Sequence, residues 1–343
     1  MAAVLSGSHF WKSSTLDITD TRYWERYDHF RNPGADIGIR NHAFQQYAIQ
    51  NPSGELRTRS MLTSYEISLL YALAKDYYTG AGDILDLGPL NGVCTNAIAK
   101  GLLANPRDIE RRKRIFSFDL FLTAGLPAEI FGTGEHVTGS FLDTFLATNA
   151  DYLEHIHISA GDLLSFRWPA DRPVEIAFID VSKSWRLNYW IQCNVLPALI
   201  PGRSILIQQD YVYFHSYWVA ITMQYYEEYF ERLYVIFGGS IAYRYRKALP
   251  ATEFSRDLST LSLSAKIALL DRAIAQAEST SAQVLRCARA YCYLDHGEIA
   301  PAERALREVD LDAKGQDPIN DFSAIARSNH EMVSRLILER KRS

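Results

Sequence analysis

From residue 83 onward the chain alternates short apolar runs with amphipathic or irregular stretches. The runs have strand length and fall at Ile84–Leu87, Ile115–Leu120, Ile156–Ile158, Ile176–Ile179, Ser204–Ile207 and Tyr234–Phe237. Such alternation predicts an open, mainly parallel sheet covered by helices on both faces. Gly238-Gly239 then reads as a two-residue turn into Ser240–Tyr245, a hairpin that makes the final strand antiparallel. The expected fold class is therefore α/β, a doubly wound, mainly parallel seven-stranded sheet with an antiparallel last strand. Before the sheet, Ile67, Leu70, Leu73 and Ala74 recur at helical spacing within Ser64–Tyr78, and Thr79-Gly80-Ala81-Gly82 breaks the pattern.

Beyond about Ser262 the strand signals stop. Leu263–Ala277, Ala282–Leu294, Ala300–Val309 and Phe322–Arg340 read as helices. The stretch Ala288–Val309 is similar to one helix-turn-helix unit of a tetratricopeptide repeat. One unit makes no solenoid, so a plain helical hairpin packed on the core is the reading taken. The chain thus divides into 1–78, 79–250 and a helical 255–343.

Composition narrows the class. With 343 residues, 48% hydrophobic and 22% charged, the chain can bury a full core and is no disordered or fibrous protein. A net charge of −4 lacks the footprint of a nucleic-acid binder. The one basic run, Arg111-Arg112-Lys113-Arg114, reads as a solvated loop after Asn105-Pro106. Cys94, Cys193, Cys287 and Cys292 show neither a CxxC pair nor zinc spacing, so reduced thiols and a cytoplasmic location are expected. No apolar segment reaches 18 residues and the N-terminus lacks a basic signal region, so no membrane association is expected.

The chemistry-bearing stretch begins at Gly82-Asp-Ile-Leu-Asp86-Leu-Gly88-Pro-Leu-Asn-Gly92. A strand ends at an acid, a glycine loop follows, and a helix begins near Gly92. Glycines let backbone approach a ligand, and a helix N-terminus offers unpaired N–H groups. The dinucleotide pattern GxGxxG is absent, because Gly88 and Gly92 are separated by three residues and Pro89 follows the first. The pattern acidic-x-Gly-x-x-x-Gly of S-adenosylmethionine sites is matched by Asp86, Gly88 and Gly92. A ligand-free turn is the alternative. Asp119 ends the next strand and can accept from both ribose hydroxyls, with Leu120 and Phe121 flanking an adenine. Asp162 follows the third strand and can accept from the adenine amino group. Either acid could equally be a strand-end turn residue.

Over about residues 60–248 the sequence resembles the class I, Rossmann-like S-adenosylmethionine-dependent methyltransferases. Within that class it looks most similar to small-molecule and sugar O-methyltransferases of the macrocin type. The narrower likeness rests on Arg59-Ser-Met-Leu-Thr, Gly82 to Gly88, Phe178-Ile-Asp180 and Gln209-Asp210-Tyr211. The resemblance implies S-adenosylmethionine as cofactor and methyl transfer to a hydroxyl of a small molecule, with residues 1–78 as a substrate-capping lid. It also implies a divalent metal held by acids after the fourth and fifth strands. Here Gln209 replaces the first acid of the pair and Val181-Ser182-Lys183 supplies no second one, a poor set for Mg²⁺. Metal use is left open. A homo-oligomer is also compatible with the resemblance.

On the acceptor side, His215 is the candidate general base, its unperturbed pKa suiting that role. Asp180 and Asp210 are candidates to orient base or acceptor, and Lys183 to stabilise an anionic acceptor. Each has a bland counterpart: a packed histidine, strand-end caps, a solvated lysine. Arg59, with Arg57, is a candidate partner of the methionine carboxylate, and Tyr65 a cover for the cofactor. His155 and His157 lie at the opposite strand end and read as structural.

Aromatic residues make up 12% of the chain and concentrate locally: 10 of the 24 residues from Tyr211 to Tyr234 are Tyr, Phe or Trp. Tyr225, Tyr229 and Phe230 read as one helix face packed on the sheet. Tyr211, Tyr213, Phe214, Tyr217 and Trp218 read as walls of an acceptor pocket. Two other functions compete with methyl transfer. One is a non-catalytic protein of the same fold with an interaction tail; the other is a nicotinamide oxidoreductase, disfavoured by the glycine spacing.

Overall fold

A computed structural model describes residues 62–122, 139–236, 238–315 and 321–342. Seven strands form one sheet in the order β3-β2-β1-β4-β5-β7-β6. The chain divides into two compact units, Met1–Asp180 and Val181–Ser343. The division falls after the fourth strand. The C-terminal helices therefore belong to the same unit as the last three strands.

The first unit holds α1 (Ser64–Ala72), continued by a wider turn over Leu73–Tyr77, then β1 (Asp83–Leu87), α2 (Val93–Leu103), β2 (Ile115–Asp119), α3 (Leu142–Thr148), β3 (Ile156–Ala160) and β4 (Val174–Ile179). Its strands are all parallel: β1 pairs with β2 and β4, and β2 with β3. β1 and β4 are buried at every position, the mark of strands covered on both faces. A capping box starts α1: Thr63 Oγ1 accepts from the Glu66 N–H at 3.3 Å, and the Glu66 carboxylate accepts from the Thr63 N–H at 2.8 Å. Gly101 lets α1 and α2 approach, since a Cβ there would sit 2.3 Å from the Tyr71 carbonyl oxygen.

The amino end of this sheet is tied by charge. Asp83 is buried and receives Arg114 Nη1 at 3.0 Å and Arg172 Nε at 2.8 Å. Buried Glu175 accepts from the backbone and hydroxyl of Thr79 and from the Ala81 N–H, holding the turn into β1. The basic run is not the solvated loop that the sequence suggests. Arg114 neutralises Asp83, Arg111 donates to the carbonyls of Leu102 and Asn105, and Lys113 donates to those of Leu153 and Ile156. Only Arg112 keeps that description, exposed and without a side-chain bond among the described residues.

The second unit holds α4 (Trp185–Asn194), β5 (Ile205–Gln208), α5 (Tyr217–Tyr225), β6 (Phe230–Ile236), β7 (Ser240–Tyr245), α6 (Ala251–Phe254), α7 (Leu263–Ala275), α8 (Ser279–Asp295), α9 (Ile299–Arg307) and α10 (Ser323–Arg342). β7 runs antiparallel to both β5 and β6, as the glycine pair predicts. Ile236 pairs with Ser240 as the last register pair of the hairpin. One detail differs: β6 begins at Phe230, which pairs with Tyr245 instead of continuing the helix face that ends at Tyr225. The four tail helices match their apolar periodicity, and α8 and α9 form the expected hairpin about Gly297 (φ 81°). Among the described residues, no helix is long and apolar enough to cross a membrane.

Candidate functional site: the carboxyl edge of β1, β2 and β4

The glycine loop is built by two left-handed glycines, Gly88 (φ 90°) and Gly92 (φ 85°), with Leu90 (φ 50°) between them. Gly92 is required twice over. It needs positive φ, and a Cβ there would lie 2.2 Å from Asn149 Nδ2, which donates to the Gly92 carbonyl at 3.1 Å. Gly92 is the residue before the first turn of α2 and offers its opening amides no side-chain cap.

Asp119 fixes this loop from β2. Its carboxylate accepts from the Leu90 N–H at 3.2 Å and the Phe121 N–H at 3.0 Å. Both donors belong to non-glycine residues with left-handed φ, 50° and 51°. One side chain thus holds two unfavourable backbone conformations in place. Leu120 beside it is 55% exposed, an apolar surface open to a ligand. Phe121 turns inward against Phe141 and Phe145, so of the two residues expected to flank a ring only Leu120 is outward. Asp162 is exposed and accepts from the Leu164 N–H at 3.0 Å, capping a short 3-10 turn.

Asp86 is the electrostatic anomaly. It is fully buried at the end of β1, and Thr95 Oγ1 donates to its Oδ2. The Cys94 thiol also bonds this carboxyl, and among the described residues its Oδ1 has no closer hydrogen-bond partner. Burial pushes the carboxyl up to about 7, with the charges of Asp180 and Asp119 adding to the effect. Asp180 follows β4, its N–H donating to the Leu87 carbonyl at 2.8 Å. Three carboxylates therefore end three neighbouring strands, and nothing cationic among the described residues neutralises the buried one. Tyr65 is buried on α1. His155 is buried with Nδ1 3.1 Å from the Arg111 carbonyl, and His157 stacks on Phe116 at 4.5 Å, the structural roles expected of them. Arg57, Arg59 and the rest of the expected lid lie outside the described residues.

The acceptor-side candidates belong to the second unit. Asp210 adopts a left-handed φ of 61° and is ion-paired with Lys183. An ammonium on that carboxylate, with Gln209 beside it, does not fit a divalent-metal cage. Among the described residues no group of three His, Cys, Asp or Glu could hold a metal. His215, on the 3-10 turn Phe214–Ser216, is half-buried between Tyr213 and Tyr291, whose ring centroid lies 4.5 Å away. Burial lowers its pKa, opposed by the Asp295 charge, a direction that favours the neutral ring.

Much of the aromatic stretch is packing. Tyr211, Phe214, Tyr217 and Trp218 are each at most 8% exposed. The Trp218 Nε1–H donates to the Ser182 carbonyl at 2.7 Å, and the Tyr217 hydroxyl donates to Asp295 at 2.7 Å. Tyr213 and His215 remain half-buried. Tyr291 and Asp295 come from α8 and shape the surroundings of His215. No local sequence signal marks them, because they meet it across some 80 residues of chain. Thr95 and Asn149 were equally silent, being ordinary polar residues until the loop closes on them.

No family model matches the chain, and no curated protein matches it. Among solved structures, the mitomycin 7-O-methyltransferase MmcR matches with a TM-score of 0.28 and 15% identity, over 55% of this chain and 50% of that one. The chain thus spans about half the length of MmcR. Coclaurine N-methyltransferase, solved with N-methylheliamine and S-adenosylhomocysteine, matches with a TM-score of 0.32 and 11% identity, over 92% of this chain and 87% of that one. At that distance neither likeness bears on the chemistry.

Proposed function

We propose that the protein is an S-adenosylmethionine-dependent methyltransferase acting on a hydroxyl of a small molecule. The observation that carries this reading is the unneutralised Asp86 beneath the glycine loop, with Asp119 and Asp180 at the same strand ends. Clustered carboxylates repel a pyrophosphate and attract a cation, so they favour a sulfonium-bearing, ammonium-bearing ligand over a dinucleotide. Asp119, at the end of β2 beside the glycine loop, is the proposed acceptor for the ribose hydroxyls. Leu120 supplies an apolar face for adenine, and Asp162 an acceptor for its amino group.

The bound cofactor supplies an electrophilic methyl group. The chain must align the acceptor oxygen and remove its proton, with positioning worth up to roughly 7–11 kcal/mol. His215, its neutral form favoured by burial, is the proposed proton acceptor, with Asp210 and Lys183 as orienting groups and Tyr213 as the partly open aromatic contact. The partners implied are a small hydroxylated acceptor and no nucleic acid.

Titration calorimetry on the full chain with S-adenosylhomocysteine and NAD separates the ligand classes. We expect micromolar S-adenosylhomocysteine binding and no NAD binding, with Asp119→Ala weakening the former at least about 100-fold. NAD binding without S-adenosylhomocysteine binding would overturn the reading. His215→Phe keeps a ring between Tyr213 and Tyr291 while deleting the base. Turnover should fall about 10²–10⁴-fold with cofactor affinity unchanged. Undiminished turnover would leave His215 a packing residue.

A further inference from the structure

A cavity of about 300 Å³ opens within the second unit, lined by Tyr211, Met223, Phe230, Arg232, Tyr243 and Arg246, with Gln224, Glu227, Glu231 and Gln276 completing it. The volume is at the lower end of the small-molecule range. Its floor is aromatic: the Tyr211 and Phe230 rings meet Tyr243 at 6.4 Å and 6.3 Å, and Arg232 stands opposite Tyr243 in the β6–β7 register.

Its charges do not cancel. Glu231 is matched by Arg244, outside the cavity lining. Glu227 is matched by Arg272 at 3.3 Å and accepts further bonds from Gln224 and Gln276. Arg232 makes one bond, from Nη1 to the Gln276 carbonyl at 3.0 Å, and no ion pair among the described residues. Arg246, exposed at the rim, makes no side-chain bond or ion pair among them. Both acids are answered and both arginines are not. The Arg232 charge also pulls down the phenols of Tyr211 and Tyr243 against the burial that raises them, which places positive potential inside the cavity. Guanidinium groups in that state pair with carboxylates and phosphates through parallel N–H bonds.

We propose that this cavity binds a small organic anion, its apolar body on Met223, Phe230 and Tyr243 and its carboxylate or phosphate on Arg232 and Arg246. The assignment is independent of the methyltransferase reading and gives Tyr211 a place in a binding wall other than the acceptor pocket expected for it.

The test is calorimetry on the full chain with benzoate, phenyl phosphate and uncharged benzyl alcohol. Saturable binding of either anion, at least tenfold tighter than the alcohol, is expected. Which anion binds identifies the head group. Arg232→Gln should weaken it at least tenfold and Arg232→Lys less. Arg246→Gln removes a side chain that holds nothing in the fold, so it remains informative if Arg232→Gln unfolds. It should weaken anion binding severalfold while leaving S-adenosylhomocysteine titrations unchanged. Absence of saturable binding up to millimolar anion, or parental affinity in both glutamine variants, would overturn the proposal.

Discussion

The two ends of β1 each bury an aspartate, three residues apart, and treat it in opposite ways. Asp83, at the amino end, receives two arginines, and the turn before it is laced to Glu175. Asp86, at the carboxyl end, receives only the neutral Thr95 hydroxyl and Cys94 thiol and no cation among the described residues. A buried charge is costly unless paired, so the first arrangement belongs to architecture and the second has no architectural reason. Burial of this kind, at the carboxyl edge of an open parallel sheet, is the feature on which the proposed cationic ligand rests.

Three substitutions press on that contrast. The largest effect is expected from Gly92→Ala, which adds a left-handed conformational cost of about 1–2 kcal/mol to overpacking against Asn149 of about 1–3 kcal/mol. Thermal melts should show the loss, and a variant as stable as the parent would mean that the loop relaxes freely. Next comes Asp83→Asn, which strands two arginines and should cost about 3 kcal/mol at neutral pH, read from urea unfolding. No change there would dissolve the architectural half of the contrast.

The third effect is the most telling, because its sign is reversed. The Asp86 carboxyl is held at about 7, above its ordinary 3.8. Its stability contribution is intact below pH 4, is lost as pH rises to 7, and stays lost above. Asp86→Asn should therefore match the parent near pH 4 and melt higher at pH 8, by at most about 4 kcal/mol in stability. The same variant should bind S-adenosylmethionine more weakly. A variant that gains stability and keeps full affinity would break the link between the buried carboxyl and a cationic ligand.

How much of this was legible depended on range. Strand positions, the hairpin and the tail helices rest on local periodicity, which the chain carries within windows of ten residues. The loop was legible because Asp86, Gly88 and Gly92 fall close together along the chain, at a strand end and in the loop after it. Asp119 was readable as a strand-end acid, but not that it restrains Leu90 and Phe121, since backbone dihedrals leave no mark on two ordinary side chains. The aromatic stretch misled by density. Ring count rises equally for a pocket and for a core, and only burial separates them, as Phe214 and Trp218 show. Arg114 looked like one of four solvated bases because its partner Asp83 lies 31 residues upstream.

The bond from Tyr217 to Asp295 has a practical reach. It welds the turn that carries His215 to a helix nearly eighty residues further on, where Tyr291 also supports the histidine ring. The tail is therefore masonry and not a detachable handle. Shortening the chain before α8 would remove the ring packed on Phe214 and leave a buried phenol without its acceptor, so a trimmed chain would lose the face that supports the His215 ring.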